Sequence, residues 1–405
     1  MCCQHAAFKG LVARCVLCSR GPPVVDCGAV RILLDYRPAL RERTGVGEFV
    51  HELARALARS GTDDITILSA SWKNRLSAGL AAELGRVRLV DRRLPVRGLT
   101  WSWNRLRFPP VEWLAGPADV VHAQTPLVIP ATRAARVVTI HDLDFLLHPE
   151  RAEAEMRRDF PVLVRQHVRR ADHVVVSSRY ALGEVTSRLA LPHAKVTVCS
   201  PGSPPWAEEI ALERRIKSTP GSLILFLGTL EPRKNVGGLL DAYARLRARR
   251  PDAPPLVLAG RARDAAARDL ERLKAPPFVG RVTVVGYVSD DERRRLYREA
   301  RMLVLPSLEE GFGLPVLEAM ACGVPVVISD RGSLPEVAGD AASPVDPTDA
   351  AGLAGQMEHL LAPPAALAAT TRGLTRAALF SWDRCAASAR DAYRAALEQR
   401  HRRGR

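Results

Sequence analysis

One stretch of this chain collects residue types that could hold a sugar, a ribose and a phosphate together. After the apolar run 302–306 comes Ser307-Leu308-Glu309-Glu310-Gly311-Phe312-Gly313-Leu314-Pro315-Val316-Leu317-Glu318. Gly311 and Gly313 let backbone approach a ligand closely, and Pro315 suits the first turn of a helix. That places Glu310 in a loop at the helix mouth and Glu318 on the helix. A carboxylate accepts paired hydrogen bonds from vicinal hydroxyls, so one can take a sugar and the other a ribose. The helix start between them offers N–H groups to phosphate. Upstream, the run 223–227 ends in Gly228-Thr229-Leu230-Glu231-Pro232-Arg233-Lys234-Asn235. Arg233 and Lys234 thus stand where a helix begins, a setting for a diphosphate. In isolation such a pair is ordinarily surface charge. His141, ahead of Asp142, and His122 each end an apolar run and are open between structural and cleft roles; Asp142 can equally cap the next turn.

These candidates need elements to position them, and the apolar runs supply strands. Val30 to Asp35 reads as a first strand, followed by a glycine loop and an amphipathic helix through Phe49, Leu53 and Leu57. Further short strands are expected at 65–68, 120–122, 137–141, 173–178 and 196–198. A Pro- and Gly-rich break spans Pro201 to Gly221, and a second series then starts at 222–227, 255–259, 282–285, 302–306 and 325–329. Short apolar strands alternating with helices imply parallel sheets covered on both faces, which bind ligands at the carboxyl ends of their strands. The expected fold is α/β, with two consecutive Rossmann-like doubly wound domains facing a central cleft. The first spans 30–205 and the second 206–380, and a helix at 381–399 packs back toward the first. Residues 1–29 read as a disordered leader.

Composition narrows the function classes. The chain has 405 residues, too many for one ordinary core. No apolar stretch approaches the roughly 20 residues that span a bilayer. The formal charge is +15, which is open between solvated helix faces and attraction to an anionic partner. Nucleic acid is disfavoured, because no recognition-helix or aromatic RNA-sheet pattern accompanies the charge. Cys15 and Cys18 form a CxxC, but no second ligand pair follows at zinc spacing. Residues 72–113 combine Trp72, Trp101, Trp103, Phe108 and Trp113 with Arg75, Arg86, Arg92, Arg93, Arg97, Arg105 and Arg107. This region is open between an ordinary helix-loop segment and a basic-aromatic surface docking at a membrane.

The segment EEGFGLPVLEAMACGVPVV, with seven residues between Glu310 and Glu318, resembles the paired-glutamate motif of glycosyltransferase family 4, retaining enzymes of the GT-B fold. GTLEPRKN at 228–235, TGVGEF at 44–49, TIHDL at 139–143, GYVSDDE at 286–292 and SLPEVAGDAA at 333–342 fall where that family has similar segments. The resemblance runs from about Val30 to the final helix. It implies that Glu310 contacts the transferred sugar, Glu318 holds the ribose, and Arg233 and Lys234 bind the diphosphate. It further implies backbone N–H contacts from Gly313 and Leu314, a nucleobase beside Tyr287 and Val288, approach of Gly47 to the phosphates, and His141 facing the reacting sugar. Thr229 departs from the pattern, since many relatives carry arginine there. Glu336 reads instead as a helix-start carboxylate.

The expected activity is transfer of a hexose, mannose favoured, from a nucleotide diphosphate-sugar to a glycan or lipid-linked acceptor. GDP-mannose is favoured over UDP-sugars, with no cofactor and no metal, because Arg233, Lys234 and a helix N-terminus make a divalent ion unnecessary. The expected location is the cytoplasm, at the inner face of the membrane. An inactive nucleotide-sugar-binding scaffold, a phosphorylase and an epimerase are the competing readings.

Overall fold

The computed structural model describes residues 29–404 apart from 41, 42, 44, 150–153 and 218–220. The expected leader therefore lies outside the described residues save residue 29, and so does Thr44 of the glycine loop. Two all-parallel sheets organise the chain. The first contains β1 (Arg31–Asp35), β2 (Asp64–Ala70), β3 (Val87–Arg92), β4 (Val120–Ala123), β5 (Ala135–Ile140), β6 (His173–Val176) and β7 (Val196–Val198) in the order β3-β2-β1-β4-β5-β6-β7. The second contains β8 (Leu223–Leu227), β9 (Leu256–Ala259), β10 (Val282–Gly286), β11 (Ala300–Leu305) and β12 (Val326–Ile328) in the order β10-β9-β8-β11-β12. In each, the chain runs outward from the first strand, returns, and continues from its other edge. Leu33 of β1 lies opposite Thr66 of β2 and Val121 of β4, while Leu303 of β11 lies opposite Leu225 of β8 and Val326 of β12. Each reversal leaves a crevice at the carboxyl ends of the strands.

The inner strands are buried on both faces, as parallel strands under helices must be, whereas the edge strands β3 and β10 are not. Among them β3 was not expected from the sequence. Its run, Val-Arg-Leu-Val-Asp-Arg, mixes charged with apolar side chains because it forms an edge and is only half covered. The final helix, Trp382–Gly404, returns to the first sheet. Trp382, Cys385, Ala386, Ala389, Ala392, Tyr393 and Ala396 recur every three or four residues and are buried beside Phe49 and Leu53 of helix Gly45–Ser60. The two chain crossings touch, since a Cβ on Gly202 would stand 2.1 Å from the Trp382 nitrogen. Among the described residues no helix is long and apolar enough to cross a membrane.

His122 is resolved as structural. It is wholly buried, with Nδ1 2.9 Å from the Tyr393 hydroxyl and Nε2 2.7 Å from Thr139 Oγ1, which ties the final helix to β4 and β5. Burial pushes its imidazole down to about 3, and burial first also takes His51, His141, His167 and His173 down to about 4. An unfolded imidazole titrates near about 6.5, so between those values the unfolded chain binds protons that the folded chain refuses. Stability is then fully present above about pH 6.5 and is lost as pH falls toward about 4. The thermal midpoint, read by circular dichroism, is expected to fall steadily between about pH 7 and about pH 5. A flat midpoint across that range contradicts this assignment.

Candidate functional site

The second reversal lies between β8 and β11, and the two chemistry-bearing loops leave those neighbouring strands. After β8 the chain makes one tight helical turn, Pro232–Lys234. Asn235 then adopts the left-handed region (φ 55°) and caps helix Val236–Arg249 by accepting from Gly238 N at 3.2 Å. This turn directs Arg233 and Lys234 toward the loop after β11. There Glu310, only 5% exposed, accepts from Lys234 Nζ, from Ser307 Oγ at 2.9 Å and from Arg233 Nη1 at 3.4 Å. Burial opposes its ionisation, yet Lys234 and Arg233 hold the carboxyl below its ordinary range. The structure thus brings together Arg233, Lys234 and Glu310, 76 residues apart at the closest pair.

Beside them Gly313 (φ 94°) precedes helix Leu314–Ala321, whose first N–H groups lack intrahelical acceptors. Only glycine enters that backbone region freely. Leu314 packs against the cores of both domains.

The two domains meet around the same loop. Ser177 and Ser178, just past β6, donate to the Gly311 carbonyl at 3.0 and 2.7 Å. Glu336 accepts from the backbone nitrogens of Arg179 and Tyr180, both at 2.9 Å, and so caps helix Arg179–Arg188 of the opposite domain. It is a helix-start carboxylate, as the sequence suggested, but for a helix 157 residues away. Tyr180 donates to Glu309 at 3.0 Å. A Cβ on Gly311 would stand 1.8 Å from the His141 carbonyl oxygen, so this glycine sets how closely the domains approach.

His141 directly follows β5 and makes an edge contact with Phe49, the ring centroids 5.1 Å apart. Its Nε2 is buried and has no partner among the described residues, which is unusual for a buried polar atom. Asp142 does what the simpler reading allowed, accepting from Asp144 N at 3.2 Å.

Glu318 is farther along its helix and its oxygens are occupied. Arg293 Nη1 donates to one at 3.0 Å and the Tyr297 hydroxyl to the other at 2.9 Å. The same guanidinium reaches Glu48 of the first domain at 3.1 Å and lies over Trp206 at 5.3 Å. Burial raises the Glu318 carboxyl, Arg293 offsetting this and Glu48 adding to it. A ribose diol at Glu318 must therefore displace Arg293 or share the carboxylate with it.

Gly47 is backed by the Pro38 carbonyl, 3.1 Å from where its Cβ would be. The glycine of that loop facing the other domain is Gly45, whose Cβ position is 3.9 Å from Leu314. Tyr287 and Val288 follow edge strand β10, Tyr287 partly exposed and Val288 packed in the core. Among the described residues no group of three or more His, Cys, Asp or Glu could hold a metal ion.

The two halves match two sequence families. Residues 44–202 match the glycosyl transferase 4-like domain, and residues 221–363 match glycosyl transferases group 1. The O-antigen chain mannosyltransferase B of Escherichia coli is 30% identical over 383 residues, covering 90% of this chain and all of that protein. The chain belongs to the group 1 glycosyltransferases. A serotype-specific mannosyltransferase WbdA of Escherichia coli is 32% identical over 273 residues, covering 65% of this glycosyltransferase and 34% of WbdA. Sucrose-phosphate synthase from Thermosynechococcus elongatus superposes with a TM-score of 0.70 at 21% identity, over 90% of this chain and 98% of that one. The fold is thus GT-B, as expected.

Residues the sequence reading missed are Arg293, Glu48, Ser177 and Ser178. Glu48 followed the glycine loop and both serines ended a strand, which marked their positions. Arg293 carried no such signal within Glu292-Arg293-Arg294-Arg295. Gly311→Ala is expected to lower turnover at least about 10²-fold, the scale of an ångström-level misplacement at a reacting centre. The rate of nucleotide release reads this, with circular dichroism confirming the fold; a near-normal rate contradicts the close approach.

Proposed function

We propose that this glycosyltransferase moves mannose from GDP-mannose onto a growing glycan or lipid-linked acceptor, with retention of anomeric configuration and without a metal. The observation that carries the reading is the buried convergence of Lys234, Arg233 and Glu310 at a strand-order reversal, next to Gly311, which packs on the backbone of His141. The choice of mannose rests on the full-length similarity to an O-antigen mannosyltransferase.

In this reading Lys234, Arg233 and the N–H groups at the start of helix Leu314–Ala321 take the diphosphate. The bond between the anomeric carbon and the phosphate oxygen breaks, and these groups neutralise the charge that grows on the leaving diphosphate. The acceptor oxygen bonds to the same face of the anomeric carbon and passes its proton to a phosphate oxygen. Nucleoside diphosphate and the extended glycan leave. Glu310 holds sugar hydroxyls, and His141 Nε2 faces the sugar from the first domain. Fixed cations and the helix terminus supply the positive charge that a divalent ion would otherwise provide. Glu318 receives the ribose hydroxyls once Arg293 yields, with Tyr287 and Val288 beside the base.

Glu310→Ala and Lys234→Ala are each expected to reduce turnover at least ~10²-fold, the scale of losing one preorganised electrostatic contact. Assays of nucleotide release over a panel of GDP- and UDP-sugars, with and without chelator, check this. GDP release from GDP-mannose that survives chelation is the expected result. Near-normal rates in either variant overturn the site; release only from UDP-sugars overturns the donor.

A further inference from the structure

A cavity of about 600 Å³ lies at the opposite end of the first domain from the cleft. Arg136 near the start of β5 lines it, whereas His141 of the cleft follows the end of β5. Five residues of strand put the two ends ~16 Å apart. One wall is aromatic, formed by Trp103, Phe108 and Trp113, with Phe108 and Trp113 in edge contact at 5.2 Å. The other is cationic, formed by Arg107, Arg136, Arg169, Arg170 and Arg403.

Little neutralises that charge. Asp172, wholly buried, serves both Arg136 at 3.3 Å and Arg403 at 3.0 Å. Glu112 turns its carboxylate inward to the backbone nitrogens of Thr132, Arg133 and Ala134, at 2.9, 3.0 and 3.3 Å. Arg107, Arg169 and Arg170 have no ion pair among the described residues. Burial, with Arg107 and Arg136 nearby, lowers the Arg170 guanidinium. Two of the aromatic lining residues are also open to water, Phe108 at 50% and Trp113 at 69% exposed. No acidic residue occurs between Asp91 and Glu112, while five arginines do.

A soluble anion would use the arginines and leave the Phe108 and Trp113 rings in water. A neutral glycan would cover the aromatic rings and leave the guanidinium groups uncompensated. An anionic bilayer satisfies both, because phosphate and hydrocarbon lie in adjacent layers there and Trp and Arg side chains span them. We propose that this end of the first domain docks on an anionic bilayer, the cavity taking a lipid phosphate and Phe108 and Trp113 entering the headgroup layer. The cleft then opens at the far end of the sheet. The acceptor hydroxyl must stand at least ~16 Å above the surface, which suits the outer end of a glycan better than a sugar joined directly to its lipid. This orientation is independent of which sugar is transferred.

The test is co-sedimentation of the full chain with phosphatidylcholine vesicles, with and without about one third phosphatidylglycerol, at low and high salt. Binding to the anionic vesicles alone, weakened by salt, is expected. Each basic residue near such a surface contributes roughly fivefold in affinity. The triple variant Arg107→Gln, Arg169→Gln, Arg170→Gln should therefore bind at least about tenfold more weakly, with unchanged nucleotide release on a soluble acceptor. Brominated lipid should quench tryptophan emission, and Trp113→Ser should reduce that quenching. A wild-type chain that stays in the supernatant, or a triple variant that binds equally well, overturns the proposal. So does a neutral glycan that changes the Trp113 emission while vesicles do not. None of these outcomes bears on nucleotide release by the wild-type chain, so the proposed activity fails or stands separately.

Discussion

A carboxylate taken out of water must be met by fixed positive charge, and the architecture of the second domain follows from meeting Glu310. Removing one partner of such a buried pair costs about 3–5 kcal/mol, because the remaining charge is left uncompensated. Lys234 and Arg233 can reach Glu310 only because β8 and β11 are adjacent, although β9 and β10 separate them along the chain. The right-handed crossovers of a doubly wound sheet produce that adjacency at the reversal, where loops leave neighbouring strands on the same edge. The cluster is thus a consequence of topology as much as of residue type.

The same loop joins the two domains. Gly311 presents its carbonyl to Ser177 and Ser178, and it directly follows Glu309, bound to Tyr180, and Glu310, bound to Lys234. Domain approach and placement of Glu310 are therefore one event: what moves helix Arg179–Arg188 also moves the loop. Arg293 adds a second link, shared between Glu48 of the first domain and Glu318 of the second. Its position makes any ligand at Glu318 and the contact between the domains compete for one guanidinium. The final helix completes the coupling, since it leaves the second domain and packs on the first, anchored by Tyr393 on His122.

Charge in this molecule is therefore of two kinds. Arg233, Lys234 and Arg293 are enclosed and matched to carboxylates, whereas the arginines around Trp113 are exposed or half-buried and, among the described residues, three of the five lack an ion pair. Net charge does not distinguish them; burial and partners do.

The strands, their order along the chain and the loop chemistry at their ends were readable from residue types, because buried parallel strands are short apolar runs and glycines mark where backbone must come close. The family was readable for the same reason: Glu310, Glu318 and the Arg233–Lys234 pair lie in contiguous segments. Contacts between segments distant in the chain were not. Nothing local to Glu336 says that it caps a helix near residue 179, nothing in a run of arginines singles out Arg293, and β3 hid behind the mixed residue types of an edge strand. Each depends on which surfaces face one another after folding, and one-dimensional pattern carries no term for that.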